Sequence, residues 1–217
     1  FQFKDRYLVH PTNSFSVHTS ALTKFDSEGH STKVASEVHD FDTSEYLDRK
    51  ESKRMDPFTQ YAAVAALSAV KDAGLGEDSY QPERAGVMLG VGLGGIQTLE
   101  EMSDKLFRKH TTSVPPLSVP KFMGNSPAGH ISMKLGLLGP AFVVSSACTS
   151  ATDAIGRALR TIRSGMCDMM ITGGSEGAGG KTRCSQCCGI GRSPRQSAGA
   201  PPPPAGQTAG WRGRGQH

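Results

Sequence analysis

Val143-Val144-Ser145-Ser146-Ala147-Cys148-Thr149-Ser150-Ala151 runs from an apolar, β-branched stretch through small hydroxyl residues into a cysteine. The run from Ala141 to Ser146 reads as a short buried strand. Beyond the cysteine, Ile155, Ala158, Leu159 and Ile162 recur at helical spacing, and Gly165 follows the last turn as a C′ residue. A third apolar run, Asp168 to Thr172, ends in Gly173-Gly174-Ser175-Glu176. Strand, helix and strand in this order make a parallel α/β unit, which decides the fold class.

The same stretch puts a thiol at a strand-to-helix corner. There the first turn of a helix presents unpaired N–H groups and partial positive charge. Such a setting favours thiolate over thiol, and the same N–H groups can stabilise an oxyanion formed when a thioester carbonyl is attacked. A small buried cysteine filling a helix–sheet contact fits the corner equally well. Local pattern leaves both readings of Cys148 open.

Upstream, Phe58, Tyr61, Ala62, Ala65, Ala69 and Val70 predict a helix with one buried face in the stretch from Tyr46 to Gly74, where Gly74 supplies the stop. Arg49, Lys50, Lys53 and Arg54 alternate with Glu45, Asp48, Glu51 and Asp56, the pattern of a solvated charged face rather than a binding patch. Arg84-Ala85-Gly86-Val87-Met88-Leu89-Gly90 reads as a buried strand ending in glycines.

Gly90-Val91-Gly92-Leu93-Gly94-Gly95 satisfies G-x-G-x-x-G after a strand and could serve as a dinucleotide loop. The second strand with its ribose-binding acid is missing, because Thr111 to Pro120 is a Pro-rich loop. The glycines are read instead as permitting close backbone approach. His130 is expected to be a core or capping residue.

Residues 1–21 carry no clear period, and after about Ala178 the composition turns to Gly, Pro, Arg, Ser and Gln, with Pro201 to Pro204 in a row. Residues 179–217 are expected to be disordered, an out-of-frame tail in origin. The body is then 22–178.

Charge supports this division. Lys and Arg number 24 against 20 Asp and Glu, but six of the basic residues lie after Glu176, leaving 18 against 20 in the body. The basic balance is therefore no argument for nucleic-acid binding. Cys184-x-x-Cys187-Cys188 resembles half a zinc site without a second ligand pair, so no metal is expected. Five cysteines, three of them in the tail, do not form a secreted disulfide framework. No apolar run approaches the roughly 18 residues of a membrane span, and the first thirty residues hold no signal core. The expected address is cytoplasmic, with a truncated start at Phe1 and no membrane association.

Ser145-Ser146-Ala147-Cys148-Thr149-Ser150 resembles the active-site signature of the β-ketoacyl-acyl carrier protein synthases, the condensing enzymes of fatty acid and polyketide synthesis, above all the synthase II type. Ser31-Thr32-Lys33-Val34-Ala35, Tyr46-Leu47-Asp48-Arg49-Lys50, Arg54-Met55-Asp56, Gly92-Leu93-Gly94-Gly95, Asn125, Ala128-Gly129-His130-Ile131-Ser132, Gly139-Pro140 and Gly173-Gly174-Ser175-Glu176 resemble that family in the same order. The likeness covers roughly Leu22 to Ala178.

The resemblance implies the amino-terminal half of a thiolase-like α/β fold, a mixed sheet covered by helices, lacking its opening strand and its second half. It implies a homodimer in the full-length family and acyl carrier protein as partner. Cys148 would take the acyl chain, which would then be condensed with malonyl-carrier protein with loss of CO2. No cofactor is implied, since phosphopantetheine arrives on the carrier protein. Leu93 would line the acyl pocket, and Ser118 falls where a bulky residue often closes a neighbouring subunit's pocket. The two histidines that assist condensation come from the family's second half, and this chain's seven histidines stand before Cys148 or at His217. Condensation by this polypeptide is therefore expected to fail. Two alternatives are a non-catalytic partner like the chain-length factors, which typically resemble synthases with the nucleophile replaced, and a degradative thiolase acting on coenzyme A thioesters.

Overall fold

The computed structural model describes residues 19–21, 23, 28, 34–36, 38, 40–110 and 113–177. The expectations for a disordered tail and for the Cys184 to Cys188 cluster lie outside these residues. A short antiparallel pair, β1 (Thr19–Ala21) and β2 (Val34–Ser36), comes first. β1 falls within the segment whose sequence shows no period, since three residues are too few to display one.

The expected single helix between Tyr46 and Gly74 is two helices, α1 (Arg49–Lys53) and α2 (Pro57–Asp72). The break has a cause in Asp56 and Pro57. Proline cannot sit inside a helix without losing a hydrogen bond but suits a first turn, and Asp56 caps that turn through Phe58 N–H at 3.3 Å. Asp56 does more than cap one helix. It is 1% exposed and also accepts from the N–H and hydroxyl of Thr98, at 3.0 and 2.6 Å, in the first turn of α3 (Ile96–Ser103). One carboxylate thus serves two helix N-termini.

The solvated-face reading therefore does not hold for Asp56. The other acids pair with more distant partners than expected: Glu51 with Lys134 at 2.9 Å and Glu45 with Lys71 at 2.8 Å. Asp48 caps α1 in a reciprocal box with Glu51. The buried face of α2 is Phe58, Thr59, Ala62, Ala63 and Ala66, rotated from the predicted stripe so that Ala65 is exposed.

The central sheet has the order β4-β3-β5, all parallel, formed by β3 (Ala85–Gly90), β4 (Ala141–Val144) and β5 (Met169–Gly174). A π-helical segment, Asp104–Arg108, continues α3, and α4 (Ser118–Phe122) and α5 (Ser126–Leu135) follow before β4. β3 is buried along its whole length, as a central strand of a parallel sheet should be. Ala85, Val87 and Leu89 pack with Ala62, Ala66, Ala128 and Ile131 from α2 and α5. Met88 points the other way, to Ala154 and Ala158 of α6 (Ser150–Arg163). The alternation of β3 side chains thus joins helices to both faces of the sheet.

At the far end of the strands, Arg84 grips Asp168 through Nε and Nη2 at 2.5 and 2.6 Å and donates to the Gly165 carbonyl at 3.0 Å. This fastens the starts of β3 and β5 to the end of α6. Gly74 and Gly165 adopt left-handed φ of 63° and 75°, as their predicted places after helix ends require. His130 on α5 is half-buried, and burial pushes its imidazole below the ordinary value against a smaller opposing influence of Glu51.

Candidate active site

The strands of a parallel sheet deliver their carboxyl ends to one edge, and there the sequence turns sharply into α6. β4 ends at Val144, whose carbonyl accepts from Val91 N–H at 3.0 Å. Ala147–Thr149 form one 3-10 turn before α6 begins at Ser150. Cys148 therefore sits in the turn that leads into the helix, two residues ahead of its first residue.

Hydroxyl groups lock this turn. The Ser150 hydroxyl donates to the Ala147 carbonyl at 2.7 Å and accepts from Ser146 N–H at 2.9 Å. The Thr149 hydroxyl donates to the Ser146 carbonyl at 2.7 Å. Ala147 has φ of 54°, a left-handed conformation unusual for a residue with a Cβ. The consequence is an exposed thiol at the tip of a tight bend.

The bend lies close against the sheet because Gly90 lacks a side chain: a Cβ there would stand 2.2 Å from the Ser150 carbonyl carbon. Gly90, Gly92, Ala147, Cys148, Ser150, Ala151, Gly174, Ser175 and Glu176 line a cavity of about 260 Å³. Ser175 is fixed by its N–H to the Gly90 carbonyl at 3.1 Å and by its hydroxyl to the Phe58 carbonyl at 2.7 Å. The ends of β3, β4 and β5 and the start of α6 thus converge on the cysteine.

Exposure separates the two described cysteines. Cys167 is buried in the loop before β5, and burial pushes its thiol up. Cys148 opens to the cavity. This removes the reading of Cys148 as a buried space-filler, because an exposed thiol fills no contact.

Residues 11–197 match the family described as beta-ketoacyl synthase, N-terminal domain. This chain belongs to the β-ketoacyl synthase family. The β-ketoacyl synthase chain is 40% identical over 155 residues to 3-oxoacyl-[acyl-carrier-protein] synthase 2 of Staphylococcus aureus, covering 71% of this chain and 38% of that protein. It is 36% identical over 157 residues to the protein of the same description from Synechocystis, covering 72% and 38%. Its fold is similar to that of the ishigamide ketosynthase/chain length factor, with a TM-score of 0.73 at 25% identity over 81% of this chain and 44% of that one. The synthase chain spans less than two fifths of the length of these curated relatives. The thiolase-like α/β fold expected from the sequence is the one found.

Within this synthase chain, Cys148 lines the cavity, and Leu93 and Ser118, expected at an acyl pocket and at a neighbouring subunit's pocket, lie apart from it. Leu93 is 58% exposed in the glycine loop, and Ser118 is buried at the start of α4; neither lines the cavity around the thiol. Sequence reading assigned no role to Ser145, Ser150 and Glu176, although all three lie in quoted motifs. Ser150 bonds within its own turn, whereas Ser145 and Glu176 find their partners on the glycine loop only once the fold is closed. Among the described residues, no helix is long and apolar enough to cross a membrane.

Proposed function

We propose that Cys148 accepts the acyl chain in a 3-oxoacyl-acyl carrier protein synthase of fatty acid synthesis. The observation that carries this reading is an exposed thiol on a tight strand-to-helix bend, lining a cavity at the carboxyl edge of a parallel sheet. The thiolate attacks the thioester carbonyl of acyl carrier protein, and the collapsing tetrahedral intermediate expels the phosphopantetheine thiolate, which takes up a proton. One thioester replaces another, so little acyl-transfer potential is lost.

In the whole enzyme the acyl group then condenses with malonyl-carrier protein as CO2 leaves, and hydrogen-bond donors stabilise the developing enolate. The family supplies these as histidines from its second half, so the proposal for this segment is limited to the acyl-transfer step. A homodimer and a cytoplasmic setting are part of the same proposal. The thiol at the bend supports an acylating synthase over a chain-length-factor-like partner, and relatives described by their carrier protein support it over a degradative thiolase.

The test is incubation with acyl-loaded carrier protein followed by mass spectrometry of the Cys148 peptide. We expect an acyl adduct on Cys148, release of the carrier thiol, and loss of both in C148S. A folded protein without the adduct would overturn the proposal, and faster acylation from acyl-coenzyme A than from the carrier protein would favour the thiolase reading.

A further inference from the structure

Glu176 stands two residues beyond β5 and turns its carboxylate onto the glycine loop after β3. Oε2 accepts from Gly92 N–H at 2.7 Å and Leu93 N–H at 3.1 Å, and Oε1 accepts from Gly94 N–H at 3.1 Å. Three successive amides aimed at one group form an anion-binding nest. Here the nest holds the protein's own carboxylate. The G-x-G-x-x-G pattern thus makes the concavity that such patterns make for phosphate, but Glu176 fills it.

The fit admits no side chain at Gly92, where a Cβ would lie 2.7 Å from Oε2. The other side of the same residue is also tied, because the Gly92 carbonyl accepts from the Ser145 hydroxyl at 3.2 Å. Ser145 stands three positions before Cys148, at the end of β4. Gly92 is therefore held between the bend that carries the thiol and the residues that end β5. Gly92, Glu176 and Cys148 line one cavity.

We infer that Glu176 is a positioning residue that fixes the glycine-loop wall of the Cys148 cavity and so sets which acyl chain lengths reach the thiol. As far as acyl chains are concerned, this rests on the reading of Cys148 as acyl acceptor. A carboxylate suits this place because Gly92, Leu93 and Gly94 all present donors to it. Glutamine keeps one carbonyl oxygen but turns an NH2 group toward the remaining N–H, and the loop is released at that end.

The experiment uses N-alkylmaleimides of graded chain length, which alkylate a thiol without any carrier protein, with peptide mass spectrometry reading Cys148. In E176Q the ratio of long-chain to N-methyl labelling should change about tenfold from wild type. Faster hydrogen exchange at the Leu93 and Gly94 amides should accompany the change. A ratio within about twofold of wild type would overturn the inference even if exchange speeds up, since the carboxylate would then only brace the loop.

Should E176Q fail to fold, S145A loosens the opposite side of Gly92, and the wild-type amides are measured directly. The labelling ratio must then shift in S145A, and exchange of the wild-type Leu93 amide at the rate of an open loop would overturn the inference. A shifted ratio without acylation from carrier protein would remove the functional proposal and leave this one standing. Acylation with an unshifted ratio would do the reverse.

Discussion

Ala147 pays a conformational cost for the placement of the neighbouring thiol. Its φ of 54° brings a Cβ close to carbonyl oxygen, a clash that glycine avoids. The bonds from Ser150 and Thr149 offset that cost by holding the carbonyls of Ala147 and Ser146. A147G should therefore be neutral or raise stability by up to about 1 kcal/mol, whereas the β-branched A147V should lower it by about 2 kcal/mol. Denaturant midpoints of the two variants check this, and the reverse order would mean that the bend is unstrained. Sequence showed the thiol at its corner because an apolar run followed by small residues is a local pattern. It did not show the strain, because alanine carries none of the left-handed preference that would mark glycine or asparagine. Glu176 was visible as the end of a motif, yet its work was not, since its partners at Gly92 to Gly94 lie more than eighty residues away.

Helix ends rather than helix faces separate the predicted elements from the observed ones. The charge alternation from Glu45 to Asp56 looks uniform in sequence, but Asp56 lies inside and the rest lie outside. What distinguishes it is Pro57, which marks Asp56 as a cap; its second set of donors, on Thr98, comes from a helix forty-two residues on. The same carboxylate holds α2 and α3 in register near the loop that Glu176 clamps. D56A leaves the Phe58 and Thr98 donors without an acceptor in a buried place and should cost about 2–4 kcal/mol. T98V removes one of the three bonds, so its cost should be nearer 1 kcal/mol. Chemical denaturation of both variants checks the order, and equal losses would show that the Asp56 carboxylate acts through the Thr98 hydroxyl alone. The rotated face of α2 has a similar explanation. Alanines satisfy a helical stripe in several rotations, and in the one observed Phe58 is fully buried.

At the scale of the molecule, among the described residues, the sheet is covered along β3 and open at its outer strands. Among the described residues β4 and β5 each pair only with β3, and Phe142 on β4 is 57% exposed. Met133, Leu138, Ile155 and Met166 are exposed as well. Ile155, one of the apolar stripe of α6, is half-exposed, and its side chain is available to another surface. An exposed strand edge bearing a large apolar residue invites pairing with a second strand. Concentration-dependent association should follow, and F142K should weaken it, as read by sedimentation velocity. A monomer at every concentration would mean that other parts of this chain cover the edge.

The clamp on Gly92 joins residues 84 positions apart, and the Ser175 bond to Phe58 spans 117. Both ends must exist before either bond can form. On a ribosome, the thiol and its bend leave the tunnel well before the residues that complete the cavity wall, because chains emerge from the amino terminus onward. The order of synthesis therefore leaves a growing chain with the cysteine present and its pocket unfinished. Among the described residues that line the cavity, Glu176 is the last to be made, and the wall at Gly92 is held only once it arrives.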